Sequence, residues 1–113
     1  MASRITLLTD YGYRDGFAGA MKGVILSRAA AATIVDLSHE VPAGDVRHAA
    51  CVIGAVAGFY PAGTIHVVVV DPTVGTARRG IAIVCNDQIF IGPDNGVFTE
   101  VLAGSLSPVA VTE

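Results

Sequence analysis

The chain has 113 residues, of which 52% are hydrophobic and 15% are charged, and its formal net charge is −3. This length predicts one compact domain, 1–113, and the apolar composition excludes disorder. The sequence has no run of Lys or Arg, so we expect no nucleic-acid partner. It has neither a signal-peptide pattern nor an apolar run of the roughly 20 residues that span a bilayer, so we expect a cytoplasmic protein without a membrane partner.

The first half of the chain has the pattern strand, helix, strand, helix. A short apolar run, Ile5–Thr9, predicts a buried strand that ends at Asp10. Apolar residues then recur at helical spacing, and Asp15 is placed to cap this helix by accepting its free amide hydrogens. Thr33–Leu37 predicts the second strand, and Asp45 is the predicted cap of a second, amphipathic helix.

The second half predicts further strands and one short helix. Three strands are predicted from runs of β-branched and apolar residues: Ile65–Val70, Ile81–Cys85 and Gln88–Ile91. The last two are close enough to form a hairpin, and helical and extended stretches follow at 97–102 and 109–112. Strands that alternate with helices imply right-handed crossovers. We therefore predict an α/β fold with a mostly parallel sheet and helices on both faces, which is a Rossmann-like layer. An antiparallel pair is expected at one edge of this sheet, and the sheet as a whole is expected to be incomplete.

Three acidic residues are predicted at the carboxyl ends of the parallel strands, where ligands bind in open α/β sheets. They are Asp10, Asp36 and Asp71. Each alone is a common turn-former or cap, but three at one edge favour a site. The loop from Asp10 to Asp15 contains small and aromatic residues that suit a flat heterocycle and its sugar. A carboxylate accepts two hydrogen bonds, as a pair of ribose hydroxyls requires.

The loop after the third strand is the strongest candidate for a reactive site. Asp71 precedes Pro72, Gly75 permits close approach of a ligand, and Arg78 brings in positive charge. A carboxylate near a guanidinium stays ionised and can orient a water molecule for attack. The alternative is an exposed ion pair worth well under about 1 kcal/mol. A merely structural charge is least expected after the most buried strand, so the reactive pair Asp71 and Arg78 is preferred.

The histidines and cysteines predict neither a metal site nor a disulfide framework. His39, His48 and His66 form no HxH or HExxH pattern, and Cys51 and Cys85 form no CxxC pattern. We expect His39 to make loop hydrogen bonds, His48 to lie on a helix surface and His66 to pack within its strand.

Five motifs follow one another along nearly the whole chain. They are ITLLTDYG (5–12), GAMKGVI (19–25), IVDLSHEVPAGDV (34–46), PAGTIHVVVVDPTVGTARR (61–79) and IGPDNGV (91–97). In this order they resemble the S-adenosylmethionine (SAM) hydrolases, or SAM hydroxide adenosyltransferases, which are related to the SAM-dependent fluorinases and chlorinases. The resemblance implies that a water-derived hydroxide attacks the 5′ carbon of SAM, the substrate, and releases adenosine and methionine without a metal or redox cofactor.

The resemblance also implies roles for individual residues. Asp71 and Arg78 match the Asp and Arg that hold the hydroxide in the family, and Asp10 matches the carboxylate that binds the ribose hydroxyls. Asp94 and Asn95 match a turn near the nucleoside pocket. The halogenases carry an aromatic residue where Asp71 stands, so hydrolysis is favoured over halogenation.

The chain departs from the family pattern in two ways. The family usually reads DPGVG, and Thr73 here replaces the first glycine, so the loop must avoid positive φ at this residue or accept strain. Family members also continue into an FHGRD segment with the catalytic His and into a C-terminal β-barrel domain at a trimer interface. The resemblance therefore predicts that 1–113 corresponds to the N-terminal SAM- or adenosine-binding domain of a homotrimeric family.

Three alternatives remain open on the sequence. The chain can be a fragment that binds adenosine or SAM without turnover, or a fragment too incomplete to fold stably. The third alternative is a metal-dependent phosphatase, because an Asp at the end of the first strand, such as Asp10, also occurs in some phosphatase folds. Tyr11, however, stands where those folds normally have a second Asp for the metal.

Overall fold

Six strands and three helices make up the computed structural model, which describes residues 3–73, 79–105 and 109–113. The strands are β1 (Arg4–Thr9), β2 (Thr33–Ser38), β3 (Ile65–Val69), β4 (Gly80–Cys85), β5 (Gln88–Pro93) and β6 (Ala110–Thr112). The helices are α1 (Phe17–Arg28), α2 (Val46–Val56), which continues into one 3₁₀ turn (Ala57–Phe59), and α3 (Thr99–Ala103). No helix in these described parts of the chain is long and apolar enough to cross a bilayer.

The strands form one sheet in the order β2-β1-β3-β5-β4-β6. Strand β1 pairs in parallel with β2 and β3, and β3 pairs in parallel with β5. Strand β4 is antiparallel to both β5 and β6. The predicted α/β class is confirmed, but the sheet is mixed rather than a clearly parallel layer, because the two-residue link between β4 and β5 permits only an antiparallel return.

The hairpin and the second helix form as predicted. Asn86 and Asp87, with φ of 52° and 62°, occupy the left-handed region that a two-residue hairpin turn requires. The side chain of Asp45 accepts a hydrogen bond from the backbone N–H of His48 at 3.0 Å and so caps α2.

Two predictions about acidic residues are wrong. Asp15 does not cap α1: Gly16, with φ of 77°, is the N-cap residue, so Asp15 lies one residue too early for its side chain to reach the free amides of the first turn. Asp36 does not end β2 but lies within it, because β2 continues to Ser38.

The hydrophobic core lies between the sheet and the two helices α2 and α3. It is formed by alternate residues of the central strands together with the inner faces of both helices, notably Leu8, Val68, Val70, Phe90, Ala49, Ile53 and Val101. Because alternate residues of a strand point to opposite faces, Val68 and Val70 enter this core. The next residue, Asp71, follows directly at the carboxyl end of the most central part of the sheet.

His66 is a fully buried polar residue of β3. Its Nδ1 atom lies 2.6 Å from the hydroxyl of Thr6, and its ring stacks on Phe90 with the ring centroids 5.0 Å apart. The expectation that His66 packs within its strand is thereby confirmed. Burial lowers the pKa of His66, and this outweighs the opposing effect of Gln88.

The lowered pKa of His66 predicts a loss of stability in mild acid. The unfolded chain binds a proton at His66 more readily than the folded chain does. The free energy of unfolding is therefore highest above the pKa of the unfolded His66, and it decreases as pH falls below about 6.5. Urea unfolding at pH about 7.5 and about 5.5 should show this decrease. In His66→Gln the decrease should be smaller. In the exposed control His48→Gln it should equal that of the wild type, and identical pH dependence in all three proteins would contradict the prediction.

Candidate functional site

The loops that follow β1, β2 and β3 meet at one end of the sheet. Thr9 pairs with Val69, so Asp10 and Asp71 lie at neighbouring strand ends. The backbone N–H of Gly44 donates to Oδ2 of Asp10 at 2.7 Å. A Cβ atom at Gly44 would lie 3.1 Å from Cβ of Pro72. Gly44 therefore connects the Asp10 loop with the residue that follows Asp71.

The carboxylate of Asp71 is held by its own loop. Oδ1 of Asp71 accepts hydrogen bonds from the backbone N–H of Thr73 at 2.9 Å and from its hydroxyl at 2.8 Å. Thr73 is not among the described residues with positive φ. Thr73 is therefore not strained by a left-handed backbone conformation, and its hydroxyl adds a hydrogen-bond donor that glycine lacks. Arg78, the predicted partner of Asp71, lies outside the described residues.

The turn after β5 reaches the same end of the sheet through Asn95. Its side-chain amide donates to the carbonyl oxygen of Val70 at 3.0 Å, directly before Asp71, and its Oδ1 accepts from the N–H of Val97 at 3.2 Å. Asp94 is exposed instead, and its Oδ2 accepts from Arg79 at 2.8 Å. Asn95 is therefore placed to hold the end of β3, whereas the carboxylate of Asp94 contacts Arg79, directly before β4.

Aromatic residues surround the Asp10 loop. The ring of Tyr11 lies 6.1 Å from that of Phe17, and Tyr13 contacts the ring of His39 edge-on at 5.1 Å. Burial, with a further contribution from Asp10, raises the pKa of Tyr11, so its phenol stays protonated at neutral pH. Asp15 is exposed at the far end of this loop, and its part in substrate binding stays a prediction.

A partly buried polar network beside Asp10 was not predicted from the sequence. Asp36 bonds to Lys22 of α1 and to His39, and His39 bonds in turn to Thr9. The expectation that His39 makes loop hydrogen bonds is confirmed. Burial by itself would raise the pKa of Asp36, but the hydrogen bonds and charges of Lys22 and His39 outweigh it and hold the pKa below its usual value. The available signal was Thr9, a polar residue directly after the apolar pair Leu7 and Leu8 at the end of β1.

A cavity of about 370 Å³ opens beside Asp71 on the sheet face opposite the core. Its lining is almost entirely apolar and comes from β3, β4 and β5: Val67, Val69, Ile81, Ala82, Ile91, Gly92 and Pro93. Of the predicted site residues that the structure describes, Asp71 alone lines this cavity. No residue of the Asp10 loop lines the cavity. No cluster of three or more His, Cys, Asp or Glu that could hold a metal ion occurs among the described residues.

Most of the chain is similar in sequence and structure to other proteins. Residues 5–113 match the family model for the SAM hydroxide adenosyltransferase N-terminal domain. A protein of Salinispora arenicola named (R)-S-adenosyl-L-methionine hydrolase is 46% identical over 96 residues. A protein of Actinoplanes named fluorinase is 28% identical over 121 residues. A crystal structure of an uncharacterized conserved protein from Thermotoga maritima superposes with a TM-score of 0.90 at 38% identity.

These matches cover much more of this chain than of its relatives. The alignment with the Salinispora protein takes in 85% of this chain and 36% of that protein, and the alignment with the fluorinase takes in 87% and 41%. The superposition on the Thermotoga protein covers 96% of this chain and 43% of that chain. The chain thus spans less than half the length of each of these three proteins.

Proposed function

The chain belongs to the SAM hydroxide adenosyltransferase family, and we propose on this premise that it serves the hydrolysis of SAM to adenosine and L-methionine. The observation that carries the proposal is the meeting of Asp10 and Asp71 at one end of the sheet, with Gly44 bonded to the first and packed against Pro72 beside the second. The name of the Salinispora relative, a SAM hydrolase at 46% identity, supports it.

In this proposal Asp10 binds the ribose of the substrate. Its Oδ2 already accepts a hydrogen bond from Gly44 at 2.7 Å, which fixes the plane of the carboxylate. A carboxylate has lone pairs on both oxygens, so it can also accept from the two ribose hydroxyls. The protonated phenol of Tyr11 and the exposed rings of Tyr13 and Phe17 provide the aromatic surface near it.

Asp71 orients the attacking water in this proposal. The oxygen of the water forms a bond to the 5′ carbon as the carbon–sulfur bond breaks, and the bonding electron pair stays on sulfur, which becomes the thioether of methionine. The water gives up one proton, so that SAM and water become adenosine, methionine and a proton. Sulfonium is already a good leaving group, so alignment of water is the main requirement and no metal or redox cofactor is needed. The part of Arg78 in holding the hydroxide stays a prediction from the family resemblance.

A carboxylate at position 71 favours water over halide as the nucleophile. Asp71 is an ionisable acceptor that attracts the hydrogens of water and repels a halide anion, and Thr73 holds one of its oxygens in place with two hydrogen bonds. The greater identity to the hydrolase than to the fluorinase, 46% against 28%, points the same way. We therefore propose hydrolysis and not halogenation.

Two measurements on the chain test this proposal. Calorimetric titration with adenosine should show binding, and chromatography should show adenosine released from SAM. Because the Salinispora relative is named for the (R) form, (R)-SAM is assayed beside ordinary SAM. Binding of adenosine without release from either substrate would instead support a non-catalytic binding domain. Absence of both would overturn the proposed site.

Several wider expectations belong to the proposal. The homotrimer, the cytoplasmic location and the absence of nucleic-acid partners rest on the family resemblance and on composition. The Rossmann-like arrangement with helices on both faces is supported by the strand order, since β2 and β3 flank β1 on opposite sides and right-handed crossovers then put α1 and α2 on opposite faces.

Replacement of Gly44 by Ala should weaken adenosine binding. Gly44 has φ of +69°, and an added Cβ would meet Pro72 at 3.1 Å, so both the backbone and the contact between the two loops must shift. Gly63, with φ of +84° and nothing within 4 Å of an added Cβ, is the matched control. Both alanine variants should lose about 1 kcal/mol of stability or somewhat more. Titration with adenosine should show weaker binding for Gly44→Ala only, and equal affinity of the two variants would contradict the prediction.

A further inference from the structure

A continuous chain of hydrogen bonds links α1 to the end of β1. Nζ of Lys22 donates to Oδ2 of Asp36 at 2.5 Å, and Oδ1 of Asp36 lies 2.8 Å from Nε2 of His39. Nδ1 of His39 lies 2.6 Å from the hydroxyl of Thr9. Thr9 and His39 are fully buried. We call these four residues, Lys22, Asp36, His39 and Thr9, the carboxyl-end relay.

Two of the three bonds in the relay have a direction that follows from the groups they join. The ammonium group of Lys22 has no acceptor, so it donates to Asp36. Nε2 of His39 carries a proton and donates it to the carboxylate of Asp36, which can only accept. The hydroxyl oxygen of Thr9 accepts from the backbone N–H of Tyr11 at 3.1 Å and has a second lone pair, so its bond to Nδ1 of His39 is possible in either direction. The relay therefore requires a proton on Nε2 of His39.

The same residues hold the loops on both sides of Asp10. The carbonyl oxygen of His39 accepts from the N–H of Gly12 at 2.7 Å, and the carbonyl oxygen of Thr9 accepts from the N–H of Val41 at 3.3 Å. Asp10 lies between Thr9 and Gly12 in the chain. The loop that continues from Val41 supplies the amide of Gly44 to Asp10.

We propose that the carboxyl-end relay is a positioning device for the Asp10 carboxylate. By fixing the side chain of His39 between Thr9 and Asp36, it locks the two loops into the register in which the N–H of Gly44 meets Asp10. None of its members needs to touch the ligand. The inference deepens the proposed function, because the ligand that benefits is the nucleoside proposed to bind Asp10.

The chain provides a matched control for this role. Thr6 and His66 form a second threonine–histidine pair, also buried, with the same 2.6 Å separation between Oγ1 and Nδ1. Thr6 lies on the same strand as Thr9 but three residues away from the strand end that carries Asp10. Loss of the Thr6 hydroxyl therefore removes an equivalent buried bond without disturbing the Asp10 loop.

The test compares Thr9→Val, Thr9→Ser and Thr6→Val. Thr9→Val should weaken adenosine binding about tenfold, as expected for a buried hydrogen bond that holds the site, whereas Thr9→Ser should restore it and Thr6→Val should stay within about twofold of the wild type. Equal weakening in Thr9→Val and Thr6→Val would overturn the proposal, because a merely structural loss would affect both variants alike.

Two ligand-independent readouts separate failure of this inference from failure of the proposed function. Nitrogen-15 NMR of the wild type should show His39 with Nε2 protonated, and an unprotonated Nε2 would overturn the relay. Hydrogen exchange at the Gly44 amide should be faster in Thr9→Val but not in Thr6→Val. If the wild type binds no adenosine while both readouts come out as expected, the proposed function fails and the relay stands. If hydrogen exchange at the Gly44 amide is unchanged in Thr9→Val, the relay is overturned even if adenosine binds.

Discussion

Asp71→Asn should slow the release of adenosine from SAM by at least about a hundredfold while leaving adenosine binding within about twofold of the wild type. The amide keeps the size of the side chain, and its oxygen can still accept the two hydrogen bonds from Thr73 that hold Asp71. It cannot stay negatively charged, so it orients and activates water poorly. Release is measured by chromatography under saturating SAM, and binding by calorimetric titration with adenosine.

The control for this prediction is Asp87→Asn. It makes the same chemical change in the hairpin turn, where φ is 62° and Asn is well tolerated. Asp87 precedes the start of β5, at the opposite end of the sheet from Asp71, so release and binding should both match the wild type. Weak adenosine binding by Asp71→Asn with little change in turnover would reverse the role proposed for Asp71.

Asp10→Ala should act mainly on binding, with adenosine affinity at least about tenfold weaker. The substitution removes the acceptor for the ribose hydroxyls and also the partner of the Gly44 amide, which is 2.7 Å away. Under saturating SAM, turnover should fall much less than in Asp71→Asn, because Asp10 does not touch the attacking water in the proposed arrangement. The two readouts are titration with adenosine and the dependence of release on SAM concentration.

A conservative variant sharpens the assignment of Asp10. Asp10→Asn retains one oxygen that can accept from Gly44, so its loss of affinity should be smaller than that of Asp10→Ala. If both variants lost turnover under saturating SAM but kept their affinity for adenosine, Asp10 and not Asp71 would be the residue that acts on the nucleophile.

Much of the fold was predictable because local interactions decide it. The β-branched run that becomes β3, the Asn86-Asp87 turn and the Asp45 cap all depend on residues close together in the chain. The α/β class followed from the alternation of these elements. The family, too, was recognisable from five short motifs, and the match to residues 5–113 confirms it.

Contacts between residues far apart in the chain were not predictable in the same way. Asp36 was expected to face a ligand, but Lys22 and His39 occupy its carboxylate. Asp15 was expected to cap α1, but the left-handed conformation of Gly16 starts the helix too late for it. For Asp36, the position of α1 brings Lys22 to the carboxylate. For Asp15, the backbone conformation of the next residue decides the outcome, and spacing alone did not reveal it.

Local patterns along the chain are enough to predict which strand ends carry the carboxylates Asp10 and Asp71, since burial patterns and turn residues depend on local spacing. What holds these carboxylates depends on how distant parts of the chain come together. Gly44 is 34 residues from Asp10 in the chain and bonds to it only because β1 and β2 are neighbours in the sheet. The physical reason is that hydrogen-bond partners are chosen by position in space, and that position follows from strand order and register, which no local pattern contains.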